Sequence, residues 1–362
     1  LKSILEQIAA NQDAGKPEER IKLSGGVLRP GKRSSVVPLL RAKLGVEAPA
    51  ADADLYDDAL KAAVMAFQKD HGLKDDGLVG PRTAIALNDG LKERLIKVLA
   101  NLERRRWVRH PLPERFVEVN IPAMQLWAVE SGKTAFTMPV IVGRKKRHTT
   151  SFVDEIVGVR FNPSWYVPDT IKKEDYLPEL QKNPQALAEK GIAFRVWDAD
   201  SQAMVNVLPE DIDWSKVTQG DLKSIQMVQG PGEHNALGKI RVLMPNQYDI
   251  YLHDTNTPEL FAKDDRALSS GCVRLSEPRR IAEFVLGSNK GWSNDRLEAY
   301  LKKDKTLEIR AEQKLPVYLY YFTIWGQDRD SGKLIFGNDI YGLDAILVNR
   351  LKSNGQVDFP LI

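Results

Sequence analysis

The most informative part of this sequence is Ile250-Tyr251-Leu252-His253-Asp254-Thr255, followed by Arg266-Ala267-Leu268-Ser269-Ser270-Gly271-Cys272-Val273-Arg274-Leu275. The first segment is typical of a strand that ends in a histidine, and the second carries the single cysteine of the chain. Because free cysteine has a pKa of about 8.5 and only the thiolate is strongly nucleophilic, a catalytic cysteine needs a base nearby. We expect the intervening loop to fold back, so that His253 meets a cysteine that opens a helix.

The residues around Cys272 suit an acyl-transfer site. Gly271 allows the backbone to approach a substrate closely. Near a helix start, the N–H groups of Gly271 and Cys272 would bind an oxyanion, and the same position would lower the thiol pKa. Strand alternation puts Tyr251 on the face of His253, which predicts a pocket role for Tyr251. A lone cysteine and a distant histidine are by themselves also compatible with an inert core cysteine.

This window resembles the active-site signature of the YkuD-type L,D-transpeptidases, in which a histidine closes a strand and Ser-(His or Ser)-Gly-Cys-(Val/Ile)-Arg follows. Here the matching residues are His253 and Ser269-Ser270-Gly271-Cys272-Val273-Arg274. Ser270 stands where the family more often has histidine, and Asp254 where it often has glycine or serine. Both departures are similar to those of the large, periplasmic YcbB-like members. They leave open which group orients His253.

Three further segments resemble the family in the same order along the chain. They are Phe116–Val129, similar to its opening strands, Asn162–Pro168, similar to its Pro-Trp-x-Val-Pro stretch, and Gln229–Gly238, similar to its Gly-Pro-Gly…Asn-(Ala/Pro)-Leu-Gly segment. The resemblance implies a β-rich catalytic domain. It gives these candidate substrate contacts: Tyr251, Trp165, Tyr166, Ser270, Arg274 and Asn235. For Trp165 and Tyr166 a place in the hydrophobic core is the open alternative, and for Arg274 a structural or electrostatic role.

Residues 36–91 form a separate, helical pattern. Tyr56, Leu60, Val64 and Phe67 recur on one helix face. Gly72 suits a helix end, and the turn after it leads to a new helix start. With Asp76-Gly77-x-Val79-Gly80, this module resembles a peptidoglycan-binding domain.

The 362 residues therefore predict an α+β multidomain protein, with a β-rich catalytic domain and a small all-α binding domain. The segment 172–225 interrupts the catalytic pattern, and its charged, helix-like composition with few large apolar residues predicts a mobile cap. The predicted units are an N-terminal scaffold segment (1–35, with a helix near Ser3–Asn11), the peptidoglycan-binding domain (36–91), a linker helix (92–113), the catalytic domain (114–310, containing the cap) and a C-terminal extension packed on it (311–362).

Composition excludes several classes of protein. Lys and Arg total 52 against 49 acidic residues, which is no basic excess for nucleic-acid binding. One cysteine excludes an intramolecular disulfide and a Cys-based zinc cluster. The histidines lack metal-ligand spacing, so neither a metal nor a cofactor is predicted. The longest apolar run, Ala62–Phe67, is too short to span a membrane. Because the chain begins at Leu1 without a signal pattern, we expect a signal or inner-membrane anchor outside this sequence and a periplasmic location.

The resemblance implies a specific reaction on peptidoglycan stem peptides. Cys272 attacks the diaminopimelate carbonyl at position three of a tetrapeptide stem and releases the terminal D-alanine, with His253 as the base. The side-chain amine of a second stem then forms a 3→3 cross-link. Carbapenems are expected to acylate Cys272. The open alternatives are a carboxypeptidase or lipoprotein attachment or release on the same fold, and a non-catalytic wall-binding scaffold.

Overall fold

The computed structural model describes residues 19–24, 26–49, 51–108, 110–303, 305–327 and 333–356. The helix predicted near Ser3–Asn11 lies outside these residues. The helices are α1 (Val37–Leu44), α2 (Asp58–Asp70), α3 (Pro81–Leu87), α4 (Leu91–Arg106), α5 (Asp169–Ile171), α6 (Leu177–Leu180), α7 (Pro278–Leu286), α8 (Asn294–Leu301) and α9 (Leu343–Ser353). The strands are β1 (Phe116–Asn120), β2 (Gln125–Glu130), β3 (Lys133–Gly143), β4 (Phe152–Phe161), β5 (Trp165–Tyr166), β6 (Ile192–Asp198), β7 (Ala203–Val207), β8 (Ile225–Gln229), β9 (Ile240–Leu243), β10 (Leu252–His253), β11 (Ala267–Ser269), β12 (Val273–Leu275), β13 (Leu307–Tyr320), β14 (Ile324–Gly326) and β15 (Leu334–Phe336).

Helices α1 to α3 form the predicted small helical domain. The side chain of Asp57 caps α2 by accepting a hydrogen bond from the Leu60 N–H at 2.9 Å. Tyr56, Leu60 and Val64 are fully buried in its core, which confirms the helix face predicted from their spacing. Helix α4 follows and packs against α9.

A nine-stranded mixed sheet, ordered β11-β3-β12-β10-β9-β4-β13-β1-β2, forms the catalytic domain. Helix α7 covers one face, where Leu252, Val273, Ile281 and Val285 are fully buried in one core. Strand β10 is the short central element of interest, and it runs parallel to its neighbour β12.

One strand prediction needs correction. The strand that ends in His253 begins only at Leu252, because Asp249 has a left-handed backbone (φ 51°) that ends any extended run there. Strand β13 starts at Leu307 and pairs with both β1 and β4. The catalytic sheet therefore continues past residue 310, the predicted end of the catalytic domain.

The prediction that 172–225 is helix-like needs correction. The insertion contributes strands β6, β7 and the start of β8 to a separate sheet, ordered β5-β8-β6-β7. One helical stretch, 169–180, joins α5 and α6 through a π-helical turn, Lys172–Tyr176. Phe194 and Trp214 are almost fully buried in a core of its own, whereas Trp197 is exposed. The outer face of this sheet mixes polar residues with the exposed pair Trp197 and Met204, so its strands lack a regular alternation of apolar and polar residues. We call residues 169–229 the cap.

The small helical domain docks on the catalytic domain next to the active-site loop. Arg82 donates to the carboxylate of Asp264 at 2.9 Å, and Asp264 lies in the loop between His253 and Cys272. Gly72 packs against Trp325, where an added Cβ would come within 2.8 Å of the indole ring. No helix in the described part of the chain is both long and apolar enough to cross a membrane.

Candidate active site

The pairing of β10 with β12 brings the two predicted catalytic residues onto one surface. His253 lies opposite Arg274, and the Val273 N–H donates to the Tyr251 carbonyl at 3.0 Å. Because Leu252 and Val273 face the core, the alternation of a strand turns Tyr251, His253, Cys272 and Arg274 to the other side. Tyr251 also packs against the core of the cap, so this surface lies between sheet and cap.

Cys272 precedes a strand, not a helix. It is followed directly by β12, and the next helix, α7, begins only at Pro278. The expectation that a helix N-terminus lowers the thiol pKa is therefore wrong. The thiol is half-buried, and its Sγ lies 3.6 Å from the Asp249 carbonyl oxygen. Tyr251 also interacts with the sulfur, which works to lower the pKa of the thiol.

Burial dominates the acidity of the thiol. It raises the pKa of Cys272 above its ordinary value, because a buried anion is poorly solvated. Hydrogen bonding from Tyr251 and the positive charges of Arg241 and Arg274 oppose that rise only in part. The resting sulfur is therefore a neutral thiol.

The turn Ser269–Cys272 is held by its own side chains. The Gly271 N–H donates to Ser269 Oγ at 3.1 Å, and Ser269 Oγ donates to the Cys272 carbonyl at 2.6 Å. The predicted oxyanion role of the Gly271 N–H therefore needs correction, because this donor is already used. The Cys272 N–H has no acceptor among the residues that the structure describes, and it stays the candidate donor.

The loop after β3 supports this turn from behind. The Arg144 N–H donates to the Ser269 carbonyl at 2.9 Å, and Thr149 Oγ1 donates to the Gly271 carbonyl at 2.7 Å. Gly143 begins the loop, where any Cβ would lie 2.2 Å from the Arg147 carbonyl oxygen. These contacts fix the path of the backbone that carries Cys272.

Arg147 links the turn to the cap, and this contact was not predicted from the sequence. Its guanidinium donates to Ser270 Oγ at 2.9 Å and forms ion pairs of 2.6 Å with Glu174 and Asp175 in the cap. Its side chain is only 6% exposed, although it ends the basic run Arg144-Lys145-Lys146-Arg147, which is typical of a solvated loop. Ser270 is thus held by an arginine.

His253 is oriented by the backbone of the residue that follows it. Its Nδ1 lies 2.5 Å from the Asp254 carbonyl oxygen. A carbonyl can only accept, so Nδ1 carries the proton and Nε2 is the nitrogen left to act as a base. The Asp254 carboxylate in turn accepts from the N–H groups of Lys239 and Thr255, at 2.8 and 2.7 Å. Asp254 therefore supplies the orienting group that the sequence left open.

The imidazole is neutral. Burial, reinforced by the nearby charge of Arg274, lowers the pKa of His253 to about 3. No hydrogen bond joins imidazole and thiol among the described atoms. His253 is one same-face step along the strand from the position opposite Cys272, roughly 7 Å along the sheet.

The remaining predicted contacts divide into two groups. Tyr251, Ser270 and Arg274 lie at the site, and Arg274 also donates to Thr257 Oγ1 at 3.1 Å. Trp165 does not lie at the site, because it is buried in the cap core. Tyr166, on the opposite face of the same strand, is 56% exposed.

Asn235 is a structural residue in this fold. Its side chain is 1% exposed and donates to the carbonyls of Pro163 and Gly230 at 2.9 and 2.8 Å. Its Oδ1 accepts from the Leu237 N–H at 2.8 Å. Because these groups are occupied, the predicted role of Asn235 in substrate binding needs correction. Asn235 instead holds the turn before β9. Within the described ranges, no cluster of three His, Cys, Asp or Glu side chains could hold a metal ion.

Arg241 is a second functional candidate that the sequence analysis missed. It lies opposite His253 on β9, with its guanidinium over the Tyr251 ring at 3.9 Å from the centroid. Its alternation with buried Ile240 and Val242 was visible in the sequence, but the pairing of β9 with β10 was not.

A cysteine and a histidine lie on one surface of the catalytic sheet, and comparison with known proteins identifies the family. Residues 114–310 match the family model YkuD, described as the L,D-transpeptidase catalytic domain. Residues 42–87 match a model described as "Putative peptidoglycan binding domain". The first match covers more than half of the chain, which therefore belongs to the L,D-transpeptidase family.

Individual relatives agree in name. A Haemophilus influenzae protein named "Putative L,D-transpeptidase" is 33% identical over 248 residues, 68% of this chain and 48% of that protein. The chain thus spans about half the length of this relative. Solved structures include an L,D-transpeptidase from Stackebrandtia nassauensis (14% identity, TM-score 0.29, 81% of this chain and 94% of that one). Another, from Mycobacterium smegmatis, has 12% identity and a TM-score of 0.26, over 57% of this chain and 58% of that one. Superpositions this loose carry no argument about the site.

Proposed function

We propose that the protein forms 3→3 cross-links in peptidoglycan through a thioester on Cys272. The observation that carries the proposal is the parallel pairing of β10 with β12, which sets the single cysteine beside Tyr251 and near His253. The acyl donor is a tetrapeptide stem, and the acceptor is the side-chain amine of a second stem. The helical domain supports a polymeric substrate, because it matches a peptidoglycan-binding model.

Acylation begins with transfer of the thiol proton to Nε2 of His253. The thiol now faces the Asp249 carbonyl, so the Cys272 side chain must first rotate toward the imidazole, a motion of picoseconds to nanoseconds for a side chain with room. The sulfur then attacks the carbonyl carbon of diaminopimelate at stem position three. The carbonyl oxygen becomes an anion, and the Cys272 N–H donates to it.

Collapse of this intermediate breaks the carbon–nitrogen bond. The leaving nitrogen takes the proton from His253, so that D-alanine departs and a thioester remains. In the second half-reaction the acceptor amine attacks the thioester carbon and gives its proton to His253. The carbon–sulfur bond breaks, and the thiolate of Cys272 takes that proton back.

The same site suggests its inhibitors and its compartment. Carbapenems, whose strained amide presents a carbonyl to the thiol, are proposed to acylate Cys272. We place the protein in the periplasm, held to the inner membrane by an anchor outside this sequence, because its proposed substrate lies there.

Two other acyl acceptors suit the same thioester. Water would make the enzyme a carboxypeptidase, and a lipoprotein amine would attach that protein to the wall. Mass spectrometry of muropeptides after incubation with purified enzyme tests these outcomes together. Dimers linked 3→3 support the proposal, whereas tripeptides without dimers indicate a carboxypeptidase, and an unchanged digest indicates a scaffold. Slow labelling by thiol reagents would not favour a scaffold, because burial raises the pKa of the thiol.

A further inference from the structure

Arg241 is a partly buried cation beside the nucleophile. Among the residues that the structure describes, no carboxylate lies within 4 Å of its guanidinium, although Glu308 acts on it from a longer distance. Its Nε is buried without a hydrogen-bond partner in the described part of the chain. Its guanidinium stacks over the Tyr251 ring, 3.9 Å from the centroid. A buried cation without a counter-charge is costly, and an anionic ligand would remove that cost.

The sheet register puts Arg241 in a row of basic residues. Arg274, His253, Arg241 and Arg160 are successive cross-strand neighbours on β12, β10, β9 and β4. Arg160 is neutralised by Glu308 at 2.6 Å. Arg274, in contrast, has no carboxylate within 4 Å in the described part of the chain, and its Nε also lacks a partner. Two unpaired guanidiniums therefore flank the imidazole.

The two guanidiniums, of Arg241 and Arg274, lie beside the place where the substrate must meet the Cys272 sulfur. Arg241 stacks on the ring of Tyr251, which lies beside Cys272, and Arg274 follows Cys272 by two residues. Their positive charges work to lower the pKa of the thiol. The planar guanidinium donates two parallel hydrogen bonds to a carboxylate, which gives orientation as well as attraction. Glu308, the acid nearest to this side of the row, is already occupied by Arg160 and Arg310.

We propose that Arg241, with Arg274 beside it, binds the carboxylate on the carbon that bears the reacting nitrogen; this rests on the proposed function. In the donor stem that unit is the terminal D-alanine. In the acceptor stem it is the side-chain end of diaminopimelate, whose amine also stands next to a carboxylate. Leaving group and acceptor thus share the unit N–CH–COO⁻. One carboxylate subsite serves both half-reactions and favours amino acids over water as acceptors.

The test compares two tetrapeptide donors, one ending in D-alanine and the other in D-alaninamide, which lacks the charge. We expect wild-type kcat/KM to favour the acid by at least tenfold, and Arg241→Gln to reduce that ratio to about one. Any general effect of Arg241 on the thiol acts on both donors, so the ratio reports recognition. Arg241→Lys should give an intermediate ratio. The matched control is Arg195→Gln, which removes a cap arginine hydrogen-bonded to Asn206 and should keep the wild-type ratio.

Two results would overturn the proposal: a wild-type enzyme without preference for the acid, or an unchanged ratio in Arg241→Gln. A wild type that turns over neither donor contradicts the proposed function instead. In that case, protection of Cys272 from iodoacetamide decides the subsite. Acetyl-D-alanine should protect the wild type better than acetyl-D-alaninamide does, and this difference should vanish in Arg241→Gln. Equal protection by the two compounds would reject a carboxylate subsite.

Discussion

Cys272 lies directly beside Tyr251, and His253 lies one same-face step further along the parallel strand. The Val273 N–H fixes this register by donating to the Tyr251 carbonyl at 3.0 Å. The Tyr251 side chain interacts with the sulfur, while Nδ1 of His253 is held by the Asp254 carbonyl. In the proposed reaction the tyrosine stabilises the thiolate and the histidine takes its proton.

Loss of the base should slow acylation strongly. Replacing His253 by Gln is expected to reduce the rate of acylation of Cys272 by a carbapenem on the order of 10²-fold or more, as the loss of a general base does. Stopped-flow measurement of acylation checks this. Asp254→Asn keeps the orienting backbone carbonyl and should have the smaller effect. Equal rates for His253→Gln and wild type would point to a different base.

The thiol should titrate late and the imidazole early. Burial raises the pKa of Cys272, so the neutral thiol persists as pH rises, and thiolate absorbance should appear only at a higher pH than for an ordinary cysteine. Burial lowers the pKa of His253 to about 3, so the imidazole should be uncharged throughout pH 5 to 8. Ultraviolet titration against Cys272→Ser measures the first, and NMR of the ring the second. Tyr251→Phe should move the thiolate midpoint upward. Full thiolate absorbance at pH 7 would instead indicate a resting thiolate–imidazolium pair.

The ion pairs of Arg147 should hold the cap over the site. Glu174→Gln combined with Asp175→Asn removes both cap partners of Arg147 while leaving its contact with Ser270. We expect faster hydrogen exchange across 169–180 in this variant, and a smaller slowing when Cys272 is acylated. Glu179→Gln is the control, because Glu179 pairs with Lys190 inside the cap. Identical exchange in wild type and double variant would make the cap a rigid appendage.

The helical domain should affect turnover as well as wall binding. Deletion of 36–91 is expected to remove binding to sacculi, but it also removes Arg82 from the active-site loop. Arg82→Gln separates the two effects: turnover of a soluble stem peptide should fall several-fold while sacculus binding persists. Arg33→Gln, which breaks ion pairs to Asp52 and Asp54 of the domain and leaves Arg82 in place, is the control. If Arg82→Gln changes neither sacculus binding nor turnover of the soluble stem peptide, the docking of the helical domain does not affect the active site.

The sequence predicted the site where its signal was local. Cys272 and His253 stand in short motifs, and the helix face of Tyr56, Leu60 and Val64 needs only a period of 3.6. These predictions required no knowledge of distant contacts.

The predictions that failed depended on pairing between distant segments. Arg147 looks like a loop cation until the cap acids meet it, and Arg241 becomes important only when β9 pairs with β10. The cap strands mix polar and apolar residues on their outer face, so the composition predicted helix. The use of the Gly271 N–H by Ser269 Oγ follows from turn geometry, which no spacing rule contains.

The central claim is a thioester between Cys272 and the stem peptide, and intact-protein mass spectrometry tests it most directly. Purified enzyme is mixed with a tetrapeptide donor without acceptor, quenched in acid and digested to locate the adduct. We predict a mass increase equal to the donor minus D-alanine, on the peptide that contains Cys272. No adduct is expected in Cys272→Ala, which should fold normally because the thiol is half-buried. Turnover of the donor by Cys272→Ala, or an adduct on another residue, would contradict it.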